Sequence, residues 1–178
     1  QAGGFFHRVL EEHGVEIVGS DALGRFEGDG DRVGKVVTEA GRELPAEVVV
    51  IGAGVTPEVT LAKAAGLELG ERGGVRCDSR LRTSATGVFA AGDICEYDSP
   101  IHGRALRIEH WDVAFNHGKT AALNMLGQDA PHEVVPYFFS DLADWSSMEY
   151  VGPASEWDQE VVRGSIDDGE FSLWYLKD

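Results

Sequence analysis

A strand-length apolar run, Val48-Val-Val-Ile51, passes without a break into Gly52-Ala-Gly54, and this junction constrains the fold more than any other stretch. An alternating strand hides one face. An unbroken apolar strand is expected to be covered on both, as in parallel sheets flanked by helices. Glycines placed directly after it let backbone amides approach a ligand closely, and a helix starting nearby adds a field that favours anions. A second junction of the same kind follows. Val88-Phe-Ala-Ala91 runs into Gly92-Asp93 and is expected to be another buried strand, one that delivers a single carboxylate at its carboxyl end. Ligands bind at that end of open α/β sheets. The fold class read from these junctions is α/β.

The rest of the chain supports units of helix and strand. Phe5, Phe6, Val9 and Leu10 recur at helical spacing with Gly14 as a stop, and Val15 to Val18 reads as a short strand after it. Leu23 to Glu27 and Val33 to Thr38 are β-prone runs separated by Gly28-Asp29-Gly30-Asp31, which predicts an antiparallel hairpin, and Pro45 breaks the pattern. After the glycine junction, Thr56 as cap, Pro57 in the first turn, Glu58 near the positive helix end and Gly66 as stop predict a helix. Val75 to Cys77 reads as a strand. Glu109 to Leu126 reads as the strongest helix, with Trp111, Phe115, Ala122 and Met125 near one face, Gly118 and Ala121 beside them, and Gly127 at its end. From Pro131 the character changes. Pro136 to Phe139, Met148 to Val151, Glu160 to Arg163 and Phe171 to Leu176 read as strands of a separate acidic unit, and the uncapped last segment reads as a truncation.

Charge and cysteine usage exclude several classes. A net charge of −16 argues against nucleic acid, which needs clustered Lys and Arg for phosphates; Arg72, Arg76, Arg80 and Arg82 form the one local basic cluster, where an acidic partner could dock. No apolar run is long enough to span a bilayer and the first residues do not read as a signal peptide, so no membrane role is expected. Two cysteines, Cys77 and Cys95, make no disulfide framework, and Cys95 has no resolving partner in sequence; a reducing cytoplasm is the expected location. His110 and His117 lie seven apart with no carboxylate or thiol pattern to complete a site, so no metal is expected. No GxSxG elbow occurs.

Taken singly, each candidate has a plain structural reading beside the functional one. Gly52, Ala53 and Gly54 fit a nucleotide turn or an ordinary tight turn, since Pro57 stands where a third fingerprint glycine belongs and Glu71 lies in a turn. Asp93 could be a turn-former, Trp111 a core residue, and Phe138 and Phe139 sheet core.

Together the motifs resemble one family. Thr83-Ser-Ala-Thr-Gly-Val-Phe-Ala-Ala-Gly-Asp93 is similar to the second FAD-contacting motif of the two-dinucleotide-fold flavoprotein reductases, T-x-x-x-[VI]-[FY]-A-x-G-D. Val48 to Pro57 looks like the segment leaving their NAD domain, Arg107-Ile-Glu-His-Trp111 like their R-x-E-x-W helix, and Pro136-Tyr-Phe-Phe-Ser-Asp141 like their P-x-F-W-S-D segment. The four occur in family order and cover essentially the whole chain. The His-Trp-Asp and Pro136 to Asp141 segments resemble the NAD(P)H:ferredoxin (rubredoxin) reductase and apoptosis-inducing-factor-like branch of the pyridine nucleotide-disulfide oxidoreductases. Phe139 departs from the Trp of many members, and the N-terminal GxGxxG that grips the ADP half of FAD is missing.

The resemblance implies a Rossmann-like two-domain flavoprotein with a small α+β C-terminal domain. Residues 1–52 would be the end of an NAD(P) domain, 53–130 the second segment of an FAD domain, and 131–178 a truncated interface-type domain. It implies FAD held by Gly92, Asp93, Glu109, His110, Trp111, Phe138 and Phe139, with NAD(P)H at Gly52, Ala53 and Gly54. Asp93 would take the ribityl hydroxyls, amides of His110 and Trp111 the N1–C2=O edge, and Glu109 the neighbourhood of the nicotinamide. It implies electron transfer to a ferredoxin or rubredoxin-type iron-sulfur acceptor, compatible with a homodimer. A flavoprotein NADH oxidase acting on a small-molecule acceptor and a non-catalytic interaction module are the alternatives.

Overall fold

A computed structural model describes residues 2–178. It contains two compact units: one comprises the described residues through Gly54 with Val162–Leu173, the other Val55–Val161 with Trp174–Asp178.

The first unit opens with α1 (Ala2–Glu12), which buries Phe5 and Val9, the stripe expected from its spacing. Phe5 meets Phe171 edge to face at 5.2 Å, and Arg8 donates to the Ile166 carbonyl at 3.0 Å. Strands β1 (Leu23–Asp29), β2 (Arg32–Thr38) and β3 (Glu43–Pro45) form an antiparallel meander in that order. The first turn is Gly30-Asp31, one residue on from the Asp29-Gly30 step, and Gly30 takes a left-handed φ of +59° that glycine adopts without strain. Val37 is the buried centre of the sheet.

Two expected strands are absent from this unit. Val15 to Val18 and Val48 to Ile51 are irregular, with Val48 80% and Val50 91% exposed. The reason is physical: a strand exists only as part of a ladder, and neither segment pairs with β1, β2 or β3. The cover that this apolar composition calls for is not supplied within the described residues.

The second unit is built on β4 (Val75–Cys77), β5 (Cys95–Ser99) and β6 (Arg104–Leu106), with β5 central, parallel to β4 and antiparallel to β6. Its core joins Ala62, Val75, Cys77, Leu81, Cys95, Tyr97, Leu106 and Ala121. Helix α2 (Thr60–Ala64) starts later than predicted. Glu58 rather than Thr56 meets its first amides, accepting from Thr60 N–H at 2.7 Å, and Gly66 closes it as expected. The hairpin of β7 (Tyr137–Leu142) with β8 (Ser146–Val151) follows the expected runs, as does that of β9 (Gln159–Ser165) with β10 (Glu170–Leu176), of which Val162–Leu173 is counted with the first unit.

Val88 to Ala91 is not the buried strand expected. Gly87 folds the segment back on residues 81–83, giving a single bridge between Arg82 and Phe89, and the true strand, β5, lies after Gly92-Asp93. The carboxylate is therefore carried on a 3-10 turn that leads into a strand, not at a strand's carboxyl end.

Helix α3 (Trp111–Met125) is turned opposite to its apolar stripe. Trp111, Phe115 and Met125 face outward, Trp111 at 76% exposure, while Val113, His117, Thr120, Ala121 and Asn124 are buried. The buried polar members are tolerated because each has a hydrogen-bond partner, backbone for His117 and Asn124 and the His132 ring for Thr120. Asn124 donates to the carbonyls of Arg80, Ala130 and Thr120 and accepts from Ala130 N–H, and Thr120 shares a hydrogen bond with His132.

Candidate functional site

The site forms where the 3-10 turn Gly92–Ile94, the lead-in to α3 and strand β7 converge. The turn is pinned by two contacts. Gly92, at φ +77°, donates its N–H to His117 Nδ1 at 3.2 Å, and Arg107 donates to the Asp93 carbonyl at 3.2 Å. The same Arg107 nitrogen lies 2.6 Å from Glu109 Oε1, so one guanidinium joins two of the expected site residues. The Asp93 carboxylate is exposed and takes no hydrogen bond from the described residues, which leaves both oxygens available to a ligand.

Glu109, joined to this turn through Arg107, lines a cleft of about 710 Å³ together with His110, Trp111, Asp112, Tyr137, Phe138 and Phe139, with more carbon than polar surface. His110 is the N-cap of α3 in extended conformation and makes no side-chain cap. The first amides of the helix are therefore free, and the positive end of a 15-residue dipole faces the cleft region. The His110 ring lies 4.8 Å from Phe138, which in turn meets Tyr150 at 5.4 Å; His110 Nδ1 is buried with no partner. Trp111 is stacked face to face on Phe115, 5.5 Å apart and 5° from parallel. A core role for Trp111 is excluded by its exposure.

Gly92, Asp93, Glu109, His110, Trp111, Phe138 and Phe139 are thus brought to one region of the second unit. Gly52, Ala53 and Gly54 belong to the first unit, exposed and irregular, with Gly54 at φ +83° and no helix before Thr60. Arg107 and His117 were missed as site residues. Arg107 was visible as the arginine two places before Glu109. His117 was considered only as a metal ligand, and no cluster of metal-binding side chains occurs among the described residues.

The surrounding electrostatics are quiet at neutral pH. Burial lowers His117 to about 3 and His132 to about 4, so both rings are neutral. Cys95 does have a neighbour: Cys77 on the adjacent strand lies within hydrogen-bonding reach, which lowers the Cys77 thiol and, with burial, raises Cys95. Both thiols are free and buried. The arginine cluster is largely neutralised, Arg76 pairing with Asp98 at 2.6 Å and Arg80 and Arg82 with Asp129 at 2.7 and 2.6 Å.

The chain is similar to known proteins along most of its length. The sequence profile described as pyridine nucleotide-disulphide oxidoreductase matches residues 1–118. The chain is 36% identical over 176 residues to the ferredoxin–NAD(+) reductase component of the anthranilate 1,2-dioxygenase system of Burkholderia cepacia, covering 98% of this chain and 42% of that protein. It superimposes on the ferredoxin reductase for the CYP199A2 system of Rhodopseudomonas palustris with a TM-score of 0.92 at 32% identity, covering 98% of this chain and 42% of that one. The reductase in the covalent putidaredoxin reductase–putidaredoxin complex gives 0.91 at 31% identity, covering 99% and 42%. The α/β, Rossmann-like fold class holds along nearly the whole chain. The chain spans about two-fifths of the length of the relatives it matches.

Proposed function

Since the chain belongs to the pyridine nucleotide-disulphide oxidoreductase family, we propose that it is the FAD- and acceptor-facing part of an oxidoreductase that passes electrons from NAD(P)H through FAD to a ferredoxin- or rubredoxin-type iron-sulfur protein. The observation that carries this reading is the doubly pinned Gly92–Asp93 turn, joined through Arg107 to Glu109, which lines an aromatic cleft at an uncapped helix start. A dinucleotide flavin needs an acceptor for its polyol hydroxyls, donors at its electron-rich edge and an apolar wall for its ring system. The residues present fit those needs.

When bound, FAD supplies the hydride and one-electron chemistry. The chain's own residues do the rest. The Asp93 carboxylate would accept from ribityl hydroxyls. The free amides at the start of α3, with His110 and Trp111 at its head, would favour negative charge at the flavin edge through hydrogen bonds and the helix field. His110, Phe138 and Phe139 exclude water from the ring face. Arg107 holds Glu109 at the rim, within the neighbourhood expected for the nicotinamide. Gly52, Ala53 and Gly54 complete the reading as the nucleotide-side backbone of the other unit. Residues 1–52, 53–130 and 131–178 are then the NAD(P)-domain end, the second FAD-domain segment and the interface-type domain. The buried free thiols favour a reducing cytoplasm, and no helix among the described residues is long and apolar enough to cross a membrane.

The test is to express the complete gene product, record its absorbance spectrum, and follow reduction by NADH and NADPH and then of a ferredoxin and a rubredoxin. A flavin spectrum bleached by one nucleotide and reoxidised by an iron-sulfur acceptor is the expected result. Asp93→Ala should lower flavin occupancy. A colourless product, or full occupancy in Asp93→Ala, removes this site from the reading; electrons passing only to oxygen or a quinone favour the oxidase.

A further inference from the structure

Resting on that reading, we infer that His117 is a positioning residue for the cofactor turn: by accepting the Gly92 N–H on Nδ1, it sets the orientation in which Asp93 is presented.

The case begins with a cost. His117 is fully buried on α3, and His132 and Tyr97, which enclose it, are equally buried. Its ring meets Tyr97 at 4.7 Å and His132 at 4.5 Å, both edge to face. With Nδ1 accepting from Gly92, the neutral ring must carry its proton on Nε2, and Nε2 is buried without a polar partner. A buried unsatisfied donor costs about 1–3 kcal/mol. An apolar side chain of similar volume would fill the same space without that penalty, so core packing alone does not account for a histidine here. What the ring gains is the bond to Gly92.

That bond reaches a segment the helix could not otherwise hold by side-chain hydrogen bonding. Gly92 sits at φ +77°, so its N–H direction is set by an unusual backbone conformation, and a Cβ there would lie 3.6 Å from Ala114 Cβ on the same helix. Arg107 holds the carbonyl of the following residue, Asp93. The two contacts fix the peptide plane on each side of the Gly92 Cα–Asp93 step, which leaves the Asp93 side chain as the free element. The other polar groups of the buried stripe are used differently: Thr120 and Asn124 tie α3 to His132 and to the loops at Arg80 and Ala130. Only His117 points its bond at the cofactor turn.

The experiment uses nuclear magnetic resonance on the ¹⁵N-labelled chain and flavin binding by the complete gene product. In the native chain, a scalar coupling between Gly92 N and His117 Nδ1, with the proton on Nε2, is expected. His117→Leu should raise the hydrogen-exchange rate of the Gly92 amide about tenfold, the equivalent of about 1.4 kcal/mol. The Tyr97 and Val113 amides should stay as they were. His117→Asn, whose carbonyl oxygen reaches the place of Nδ1, should restore slow exchange. The flavin dissociation constant should rise about tenfold in His117→Leu and fall back in His117→Asn. Absence of the coupling, or equal exchange at Gly92 in native and His117→Leu chains, overturns the proposal. So does unchanged flavin affinity in His117→Leu while Asp93→Ala weakens it. If Asp93→Ala itself leaves flavin affinity unchanged, the flavin site has failed rather than the bond, and the coupling and exchange data alone decide whether His117 sets the turn.

Discussion

Val48 to Ile51 and Cys95 to Ser99 are strand-length segments whose compositions and environments are reversed. The first is Val-Val-Val-Ile and lies exposed in irregular chain. The second is Cys-Glu-Tyr-Asp-Ser and forms the most enclosed strand of its unit, with Cys95, Glu96, Tyr97 and Ser99 all buried. What separates them is partners. β5 has β4 on one edge and β6 on the other, and its charged and serine side chains are met, the Tyr97 hydroxyl alone being buried without a partner among them. Glu96 accepts from Arg72 N–H at 3.0 Å, Asp98 pairs with Arg76, and Ser99 shares a hydrogen bond with His102 at 2.9 Å. The lesson is that composition states a demand for cover, while ladders and hydrogen-bond partners decide where cover is delivered.

The sharpest way to break this comparison is at Tyr97, fully buried between the two histidine rings. Tyr97→Ala removes an aromatic side chain from the core and should cost about 3–5 kcal/mol, or unfold the chain outright, in urea denaturation. A loss below about 1 kcal/mol would mean that β5 is not the centre of its unit.

Acid probes the same centre. His117 and His132 have folded-state values lowered by burial to about 3 and about 4, against about 6.5 when unfolded. Their contribution is complete above the unfolded value and is lost as pH falls from there toward the folded ones, because the unfolded chain takes up the protons first. Between about pH 7.5 and 5.5 the two rings together should cost about 3 kcal/mol of stability. Urea midpoints across that range check it, and a flat profile would mean that the rings are solvated. The paired carboxylates Glu27, Glu58, Asp129 and Glu156, all lowered chiefly by their hydrogen-bond donors, act in the same direction but from lower pH.

A smaller effect is expected at Asn124, whose amide serves four backbone groups. Asn124→Ala leaves buried carbonyls and an amide unpaired and should cost about 1–3 kcal/mol, with Arg80 and Ala130 losing exchange protection around them.

How much of this was legible in the sequence follows the same division. The hairpin at Gly30-Asp31, strand β4, the runs that became β7 to β10 and the stops at Gly66 and Gly127 were readable, because turns and local alternation are written in neighbouring residues. The gathering of Gly92, Asp93, Glu109, His110, Trp111, Phe138 and Phe139 was readable only through the ordered motifs, since no spacing rule joins residue 93 to residue 138. The facing of α3 was not readable. Trp111, Phe115 and Met125 made the better apolar stripe, and nothing local announced that His117 and Asn124 would find backbone partners, and Thr120 the His132 ring. Arg107 was legible as the first residue of Arg107-Ile-Glu-His-Trp111, but its second contact, to the Asp93 carbonyl, was not, since no spacing rule joins positions 14 apart across a loop.

The smallest expected effect is the most discriminating for the first member of the comparison. If the cover that Val48 to Ile51 calls for is not delivered within this chain, Val50→Ser removes apolar surface that is already 91% in water. Folding then gains or loses almost nothing, and the urea midpoint should stay within about 0.5 kcal/mol of native. The same substitution should reduce self-association, since an unpaired apolar run offers an edge to other copies. A cost of about 1 kcal/mol or more would mean that the run is buried in solution after all, and that its sequence and its environment agree as closely as those of any core strand.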